Sequence, residues 1–136
     1  MVTQSAGPYT AVPMGMALAA HECRDKTAAE QMEYLRKAAH TISHARPTTV
    51  KRMALLCDLC LAEAERALAA GEDTAQAIVN KTVELNNTRY ERVAKIGKYL
   101  VDLFPENGTV MTHCFAETIV GTMLRECRNR GKNIRL

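Results

Sequence analysis

The sequence is poor in aromatic residues: it has no tryptophan, four tyrosines and two phenylalanines among its 136 residues. Proteins that bind single-stranded nucleic acid use aromatic side chains as stacking platforms, so this scarcity argues against that class. The net charge of +3 is also small for a dedicated nucleic-acid binder, although it leaves room for a local anion site. We therefore expect no direct binding to nucleic acid.

Long apolar runs are missing as well. The apolar stretch from Ala11 to Ala20 is too short to span a membrane, and no basic segment precedes it as in a signal peptide. The five cysteines are an odd number, which is atypical of a disulfide framework. These features favour a cytoplasmic protein with reduced thiols and no membrane partner.

The sequence also lacks a recognisable set of metal ligands. Cys57 and Cys60 form a single C-x-x-C pair inside an apolar helical pattern, without the second pair of a zinc site or the preceding strand of a redox motif. Core packing is therefore the preferred interpretation of this pair. The histidines share no ligand spacing with cysteines or acidic residues; they are His21, His40, His44 and His113. We predict no metal site and no cofactor.

Most of the chain shows the three- and four-residue apolar spacing of amphipathic helices. Pro13 suits the first position of a helix, and Thr27 with Glu30 predicts a capping box at the next one. In the last long helix, an apolar stripe from Val79 to Phe104 predicts a core-facing side. The expected helices are Met14–Glu22, Ala28–Ser43, about Thr49–Ala70, and Asp73 or Thr74 to about Phe104.

The C-terminal stretch has a different pattern. It predicts a short buried strand (Thr109–Met111), a turn carrying Thr112, His113 and Cys114, an amphipathic helix (Ala116–Arg130), and a second strand from Asn133. Strand, helix and strand in this order are typical of the start of an α/β domain. The predicted fold class is therefore mainly α, with a helical domain over residues 1–107 and the start of an α/β domain over residues 108–136.

Two positions are candidates for chemistry. Cys114 precedes a helix, where the helix dipole and backbone N–H groups favour a thiolate, and a thiol near His113 can act as a nucleophile or an acid/base. A buried structural cysteine is the alternative. Arg46 precedes Pro47 at the start of another helix, where a guanidinium and free N–H groups suit a phosphate. A surface arginine beside an ordinary cap is the alternative there.

Together these segments resemble a known superfamily: methylthioribose-1-phosphate isomerase, ribose-1,5-bisphosphate isomerase and the regulatory subunits of initiation factor 2B. The most specific part is the Thr-His-Cys turn, followed by a glycine-containing helix and a Gly-Lys-x-Ile strand. The matching segments span most of the chain in the expected order. They are Ala45-Arg46-Pro47-Thr48-Thr49-Val50, Asn87-x-Arg89 with Ile96-Gly97, and Val110-Met111-Thr112-His113-Cys114.

The resemblance implies an N-terminal helical bundle followed by a Rossmann-like domain, of which this chain holds a truncated first strand–helix–strand. In the isomerases, the cysteine of this turn and an aspartate of the later domain interconvert aldose and ketose phosphates. By motif match, Cys114 is the expected catalytic residue, and Arg46, Thr112 and His113 are the expected substrate contacts. The implied ligand is a sugar phosphate or a nucleotide. Because the aspartate region is missing, we expect the chain alone to be inactive.

Two departures from the family pattern concern a phosphate contact near the start of the chain and the choice of branch. The isomerases carry Arg-Gly-Ala-Pro-Ala-Ile-Gly near their start, whereas this chain has Tyr9-Thr10-Ala11-Val12-Pro13-Met14-Gly15. The turn also continues as Phe115-Ala116-Glu117, which favours the ribose-bisphosphate or factor-2B-like branch. A non-catalytic regulatory subunit that binds a nucleotide or sugar phosphate, and a purely structural helical bundle, remain the alternatives. The unpaired edge of the second strand predicts a homo-oligomer, in the simplest case a dimer.

Overall fold

The computed structural model describes residues 7–113 and 116–136, and helices account for most of them. A short 3-10 turn, Pro47–Thr49, precedes the third helix. The helices are α1 (Gly7–Glu22), α2 (Ala28–His44), α3 (Val50–Ala70), α4 (Thr74–Asp102) and α5 (Glu117–Asn129), and the strands are β1 (Asn107–Thr109) and β2 (Asn133–Arg135). The predicted mainly-α class is confirmed. Within the described ranges, no helix combines the length and the apolarity needed to cross a membrane.

The chain divides into two compact units, the first ending at Asn86 and the second running from Asn87 to Leu136. The division lies inside α4. The predicted domain boundary between residues 107 and 108 stays a prediction.

The first unit packs α1, α2, α3 and the start of α4 around one apolar core. Met16, Leu35, Cys60 and Ile78, one from each helix, are fully buried. The recurring three- and four-residue spacing aligns such residues on one face of each helix. Burying a Leu, Ile or Met side chain completely contributes about 1.5–3 kcal/mol.

The first helix begins earlier than predicted, at Gly7 rather than near Pro13, so Pro13 lies inside α1. A proline removes one backbone hydrogen bond from a helix interior. Here Pro13 is itself buried beside Val12, and Met16 is buried one turn later, so apolar packing offsets that loss. The predicted start of α1 was wrong because the preference of proline for the first helical position concerns only its backbone. The burial of the Pro13 side chain stabilises it inside the helix.

Three other helix ends agree with the capping residues expected from the sequence. The capping box at α2 is confirmed: the Thr27 N–H donates to Glu30 Oε2 (2.9 Å), and the Glu30 N–H donates to Thr27 Oγ1 (3.4 Å). Gly71 ends α3 in the left-handed region with φ 67°. Asp73 Oδ1 accepts from the Gln76 N–H (3.0 Å) at the start of α4.

The predicted core stripe of α4 is wrong in its first half. Val79, Val83 and Tyr90 are 41%, 53% and 50% exposed. The core of the first unit instead receives the adjacent face of the helix, with Ile78 and Thr82 buried. α4 has two neighbouring apolar faces, and spacing alone does not decide which of them the other helices cover.

In the second unit, β1 and β2 pair in parallel, with Gly108 opposite Ile134. The unit has its own apolar core, formed by Val101, Val120, Met123 and Cys127. The expected buried strand Thr109–Met111 is wrong: β1 ends at Thr109, its residues are exposed, and Met111 is 94% exposed. The apolar side chains of Val110 and Met111 favoured a buried strand. The pairing with β2 instead places β1 two residues earlier in the chain.

Gly97 brings α4 and α5 close together. A Cβ atom at Gly97 would lie 2.7 Å from Thr122 Cγ2 and 3.3 Å from Thr122 Cβ. The hydroxyl of Thr122 donates to the Thr118 carbonyl oxygen (2.8 Å), which holds the Thr122 side chain in place. A glycine at position 97 therefore permits this helix contact.

Candidate functional site

Arg46 lies in an extended conformation (φ −138°, ψ 104°) between α2 and the 3-10 turn. Its carbonyl oxygen accepts from the Thr49 N–H (3.1 Å) and from Thr49 Oγ1 (3.4 Å), and Pro47 fixes the next backbone angle. Among the described residues, the guanidinium has no hydrogen-bond or ion-pair partner. The backbone of Arg46 is thus held in place while its charged group stays available to an anion.

The start of α3, next to Arg46, is electrically positive. No side chain caps this helix at Thr49, and its first turn contains no acidic residue. Lys51 and Arg52 occupy that turn and are exposed. Uncapped N–H groups and the helix dipole favour a negative charge at this end. The sequence prediction named Arg46 but did not include the two cations that follow.

The Thr112–His113 segment follows β1 in the second unit, and both residues are exposed. The last strand hydrogen bond before it runs from the Val110 N–H to the Arg135 carbonyl oxygen (2.8 Å). Cys114, the predicted catalytic residue, lies outside the described residues. The predicted site residues are divided between the two units: Arg46 belongs to the first, and Thr112 and His113 belong to the second.

Two basic residues stabilise the elements around this turn. Arg130 donates to Glu126 Oε1 (2.7 Å) and to Asp102, which links the ends of α5 and α4. Lys132 Nζ donates to the Phe104 carbonyl oxygen (2.7 Å) and to Glu106 Oε1 (2.9 Å). The Lys132 side chain is only 11% exposed, so it fixes the approach to β1. The Gly-Lys-x-Ile segment was noted in the sequence, but this role of its lysine was not inferred.

The buried thiols are unsuited to acid/base chemistry at neutral pH. Burial raises the pKa of Cys57 to about 11 and that of Cys60 to about 12. These side chains are therefore neutral thiols in the core, in line with the packing interpretation. In the described part of the chain, no group of three or more His, Cys, Asp or Glu side chains is arranged to hold a metal ion.

Comparisons with known proteins extend over nearly the whole chain. The model of the Initiation factor 2 subunit family matches residues 7–136. A protein of Archaeoglobus fulgidus, provisionally named a methylthioribose-1-phosphate isomerase, is 30% identical over 98% of this chain and 39% of its own length. The methylthioribose-1-phosphate isomerase of Carboxydothermus hydrogenoformans is 33% identical over 61% of this chain and 24% of its own length. No solved structure matches.

The chain thus spans less than half the length of these two curated relatives. The resemblance inferred from the Arg-Pro-Thr and Thr-His-Cys segments is confirmed by these matches. The chain belongs to the Initiation factor 2 subunit family.

Proposed function

We propose that this chain is the N-terminal portion of a sugar-phosphate aldose–ketose isomerase-like protein and is inactive alone. The observation that carries this proposal is the 30% identity, over 98% of the chain, to a relative named for isomerisation of a sugar phosphate. The free guanidinium of Arg46 at the positive end of α3 supports it.

In this proposal, Arg46 binds the phosphate of the substrate. Its planar guanidinium can donate two parallel hydrogen bonds to phosphate oxygens, and nearby backbone N–H groups can donate more. Hydrogen bonds to charged groups contribute about 1.5–3 kcal/mol each. Thr112 and His113 contribute further polar contacts to the sugar.

Cys114 acts in the proposal as the acid/base that moves hydrogen between C1 and C2 of the sugar. The conversion of an aldose into a ketose also changes the protonation of O1 and O2, so a second positioned group is required. The family resemblance assigns that role to an aspartate of a later domain. Since the chain covers only 39% and 24% of its two relatives, we propose that catalysis needs protein beyond these 136 residues.

Calorimetric titration with a sugar phosphate tests the binding half of the proposal. We expect the wild-type chain to bind, and Arg46→Ala to bind at least about tenfold more weakly, since one lost charge-assisted contact corresponds to about 1.5 kcal/mol or more. Arg128→Ala is the matched control, because Arg128 is exposed at the end of α5 in the other unit. Equal affinities of wild type and Arg46→Ala would exclude Arg46 from the site.

A turnover assay tests the catalytic half. The chain alone should show no isomerisation of ribose-1,5-bisphosphate or methylthioribose-1-phosphate. Measurable turnover would contradict the need for a second group from outside the chain. Turnover that persisted in Cys114→Ser would in addition remove the thiol from the mechanism.

The second candidate function is that of a non-catalytic regulatory subunit, because the matching family model is that of the Initiation factor 2 subunit family. In that case the same positive end of α3 binds a nucleotide phosphate. Titration with nucleoside monophosphates and diphosphates separates the candidates. Tighter binding of a nucleotide than of either sugar phosphate would favour the regulatory subunit.

We further propose that the 136-residue chain forms a dimer in the cytoplasm. Within the described residues, each strand pairs on one side only, and Leu103 and Met111 of the same unit are 81% and 94% exposed. A second copy covering this surface would remove open strand edges and apolar area from water. The described cysteines are free, which suits a reducing compartment. Light scattering at micromolar concentration checks the stoichiometry, and a monomer would contradict it.

A further inference from the structure

Asn107 and Gly108 are the first two residues of β1, and they form the only asparagine–glycine pair in the sequence. Every residue of β1 is exposed. We propose that Asn107 is a site of self-modification: it converts into aspartate and isoaspartate when the pairing of β1 with β2 opens, and the closed pair protects it. This inference goes beyond the proposed isomerase function and does not depend on it.

The reaction needs only water as a second reactant. The backbone nitrogen of Gly108 attacks the side-chain carbonyl carbon of Asn107, and the bond from that carbon to the side-chain nitrogen breaks. The proton of the Gly108 N–H leaves with this nitrogen as ammonia. Water then opens the cyclic imide at either carbonyl and leaves an aspartyl or an isoaspartyl residue. Glycine favours the attack because it has no side chain and its backbone is conformationally free.

The reacting side chain is accessible and unrestrained. Asn107 is exposed, and among the described residues no hydrogen bond holds its side-chain amide. Gly108 is exposed as well, so water can reach the cyclic imide. The side chain therefore places no barrier in the way of the reaction, and the backbone controls it.

The pairing with β2 restrains the attacking nitrogen. The Val110 N–H donates to the Arg135 carbonyl oxygen (2.8 Å). Successive N–H groups of a strand point to opposite sides, so the N–H of Gly108, two residues earlier, also points toward β2. Ring closure has to pull this N–H away from β2 and twist the extended backbone at Asn107. The reaction therefore starts from the open pair.

Opening of the strand pair is a local event. Within the described residues the sheet has two strands of three residues each, and few bonds have to break. Short, exposed elements of this kind open at a lower free energy than the whole domain. Lys132 opposes the opening, because its Nζ donates to the Phe104 carbonyl oxygen (2.7 Å) and to Glu106 Oε1 (2.9 Å), directly before β1.

The modification is a one-way change. Isoaspartate carries the main chain through the former side chain and lengthens it by one carbon, so the register of Gly108 with Ile134 cannot be kept together with that of Asn107. Aspartate adds a negative charge to the exposed strand. The isoaspartyl chain should therefore keep the pair open and release the segment that leads to Thr112.

Mass spectrometry of the chain after incubation at mildly alkaline pH tests the site. We expect the mass increase of deamidation at Asn107 and none at Asn133. Asn133 is the matched internal control, because it is exposed, lies opposite Asn107 in the sheet and is followed by Ile134. In the folded chain Asn107 should react at least about tenfold more slowly than in a synthetic peptide of residues 103–112, which corresponds to an opening free energy of about 1.4 kcal/mol.

Two further measurements test the control by the strand pair. Lys132→Ala should raise the rate at Asn107 toward that of the peptide, whereas Lys95→Ala, which changes an exposed lysine of α4 in the same unit, should not. Circular dichroism checks that both variants are folded. Hydrogen exchange at the Val110 amide gives the opening equilibrium of wild type, and it should equal the ratio of the folded-chain rate to the peptide rate.

The site is refuted if Asn107 stays intact over many half-lives of the peptide reaction, or if Asn133 reacts as fast as Asn107. Equal rates in the folded chain and in the peptide would refute the protection by the closed pair. A folded Lys132→Ala variant that reacts at the wild-type rate would do the same, and so would an opening equilibrium at Val110 that disagrees with the measured protection.

Discussion

Replacement of Gly97 by alanine tests the close contact between α4 and α5 in the second unit. The added methyl would lie 2.7 Å from Thr122 Cγ2, well inside the ordinary carbon–carbon contact of about 3.5–4 Å. The threonine cannot rotate away without losing its hydrogen bond to the Thr118 carbonyl oxygen. α4 and α5 must therefore separate slightly, and such overpacking costs about 1–3 kcal/mol.

A second effect has the opposite sign. Alanine is a better helix former than glycine by about 0.5–1 kcal/mol, so the net loss for Gly97→Ala is about 0–2.5 kcal/mol. Gly121 in α5 supplies the control, since a Cβ there meets no atom within 4 Å. Gly121→Ala should therefore stabilise the protein by about 0.5–1 kcal/mol.

Urea denaturation followed by circular dichroism measures the change in unfolding free energy for Gly97→Ala and for Gly121→Ala. A double-mutant cycle with Thr122 isolates the contact between positions 97 and 122. Thr122→Ser removes Cγ2 and keeps the hydroxyl, so Gly97→Ala should be nearly neutral in that background. A stabilising Gly97→Ala in the wild-type background would refute the close approach of the two helices. An equal cost of Gly97→Ala with threonine and with serine at position 122 would also refute this close approach.

Two further predictions concern the first unit. Thr27→Ala removes the capping box of α2 and should lower the free energy of unfolding by about 1 kcal/mol, measured by urea denaturation; an unchanged midpoint would mean that the cap is not formed in solution. Burial raises the pKa of Cys57 to about 11 and of Cys60 to about 12 from an ordinary 9.0, so the folded state keeps protons that the unfolded chain releases. The thiol contribution to stability should therefore be complete below pH 9.0 and decline as pH rises toward about 12, and Cys60→Ala should flatten this decline in alkaline urea titrations.

Local chemistry was readable from the sequence wherever the interacting groups are neighbours in the chain. The capping pair Thr27 and Glu30 lies within one turn, and Gly71 marks a helix end because glycine adopts a positive φ without strain. The parallel pairing of β1 and β2 also agrees with the expected strand–helix–strand order.

Features that depend on tertiary packing were harder to predict. The apolar stripe containing Val79 and Val83 competes with the face containing Ile78, and only the arrangement of the other helices decides between them. Pro13 lies inside α1 because buried neighbours stabilise it there. For the site, the sequence identified Arg46 and its turn, but the exposed cations at the start of α3 and the role of Lys132 required the structure.

The parallel pairing of two short strands has a consequence for the order of folding. Glu106 and Lys132, which directly precede the two strands, are 26 positions apart in the chain, and closing a loop of this length costs about 3 kcal/mol in entropy. The hydrogen bonds of two three-residue strands contribute about 0.5–1.5 kcal/mol each and offset that cost only narrowly, so we expect α5 to dock on α4 before the strands pair. The pair should be the last part of the second unit to close and the first to open. A ligand that holds Thr112 and His113 would then slow hydrogen exchange at the neighbouring Val110 amide.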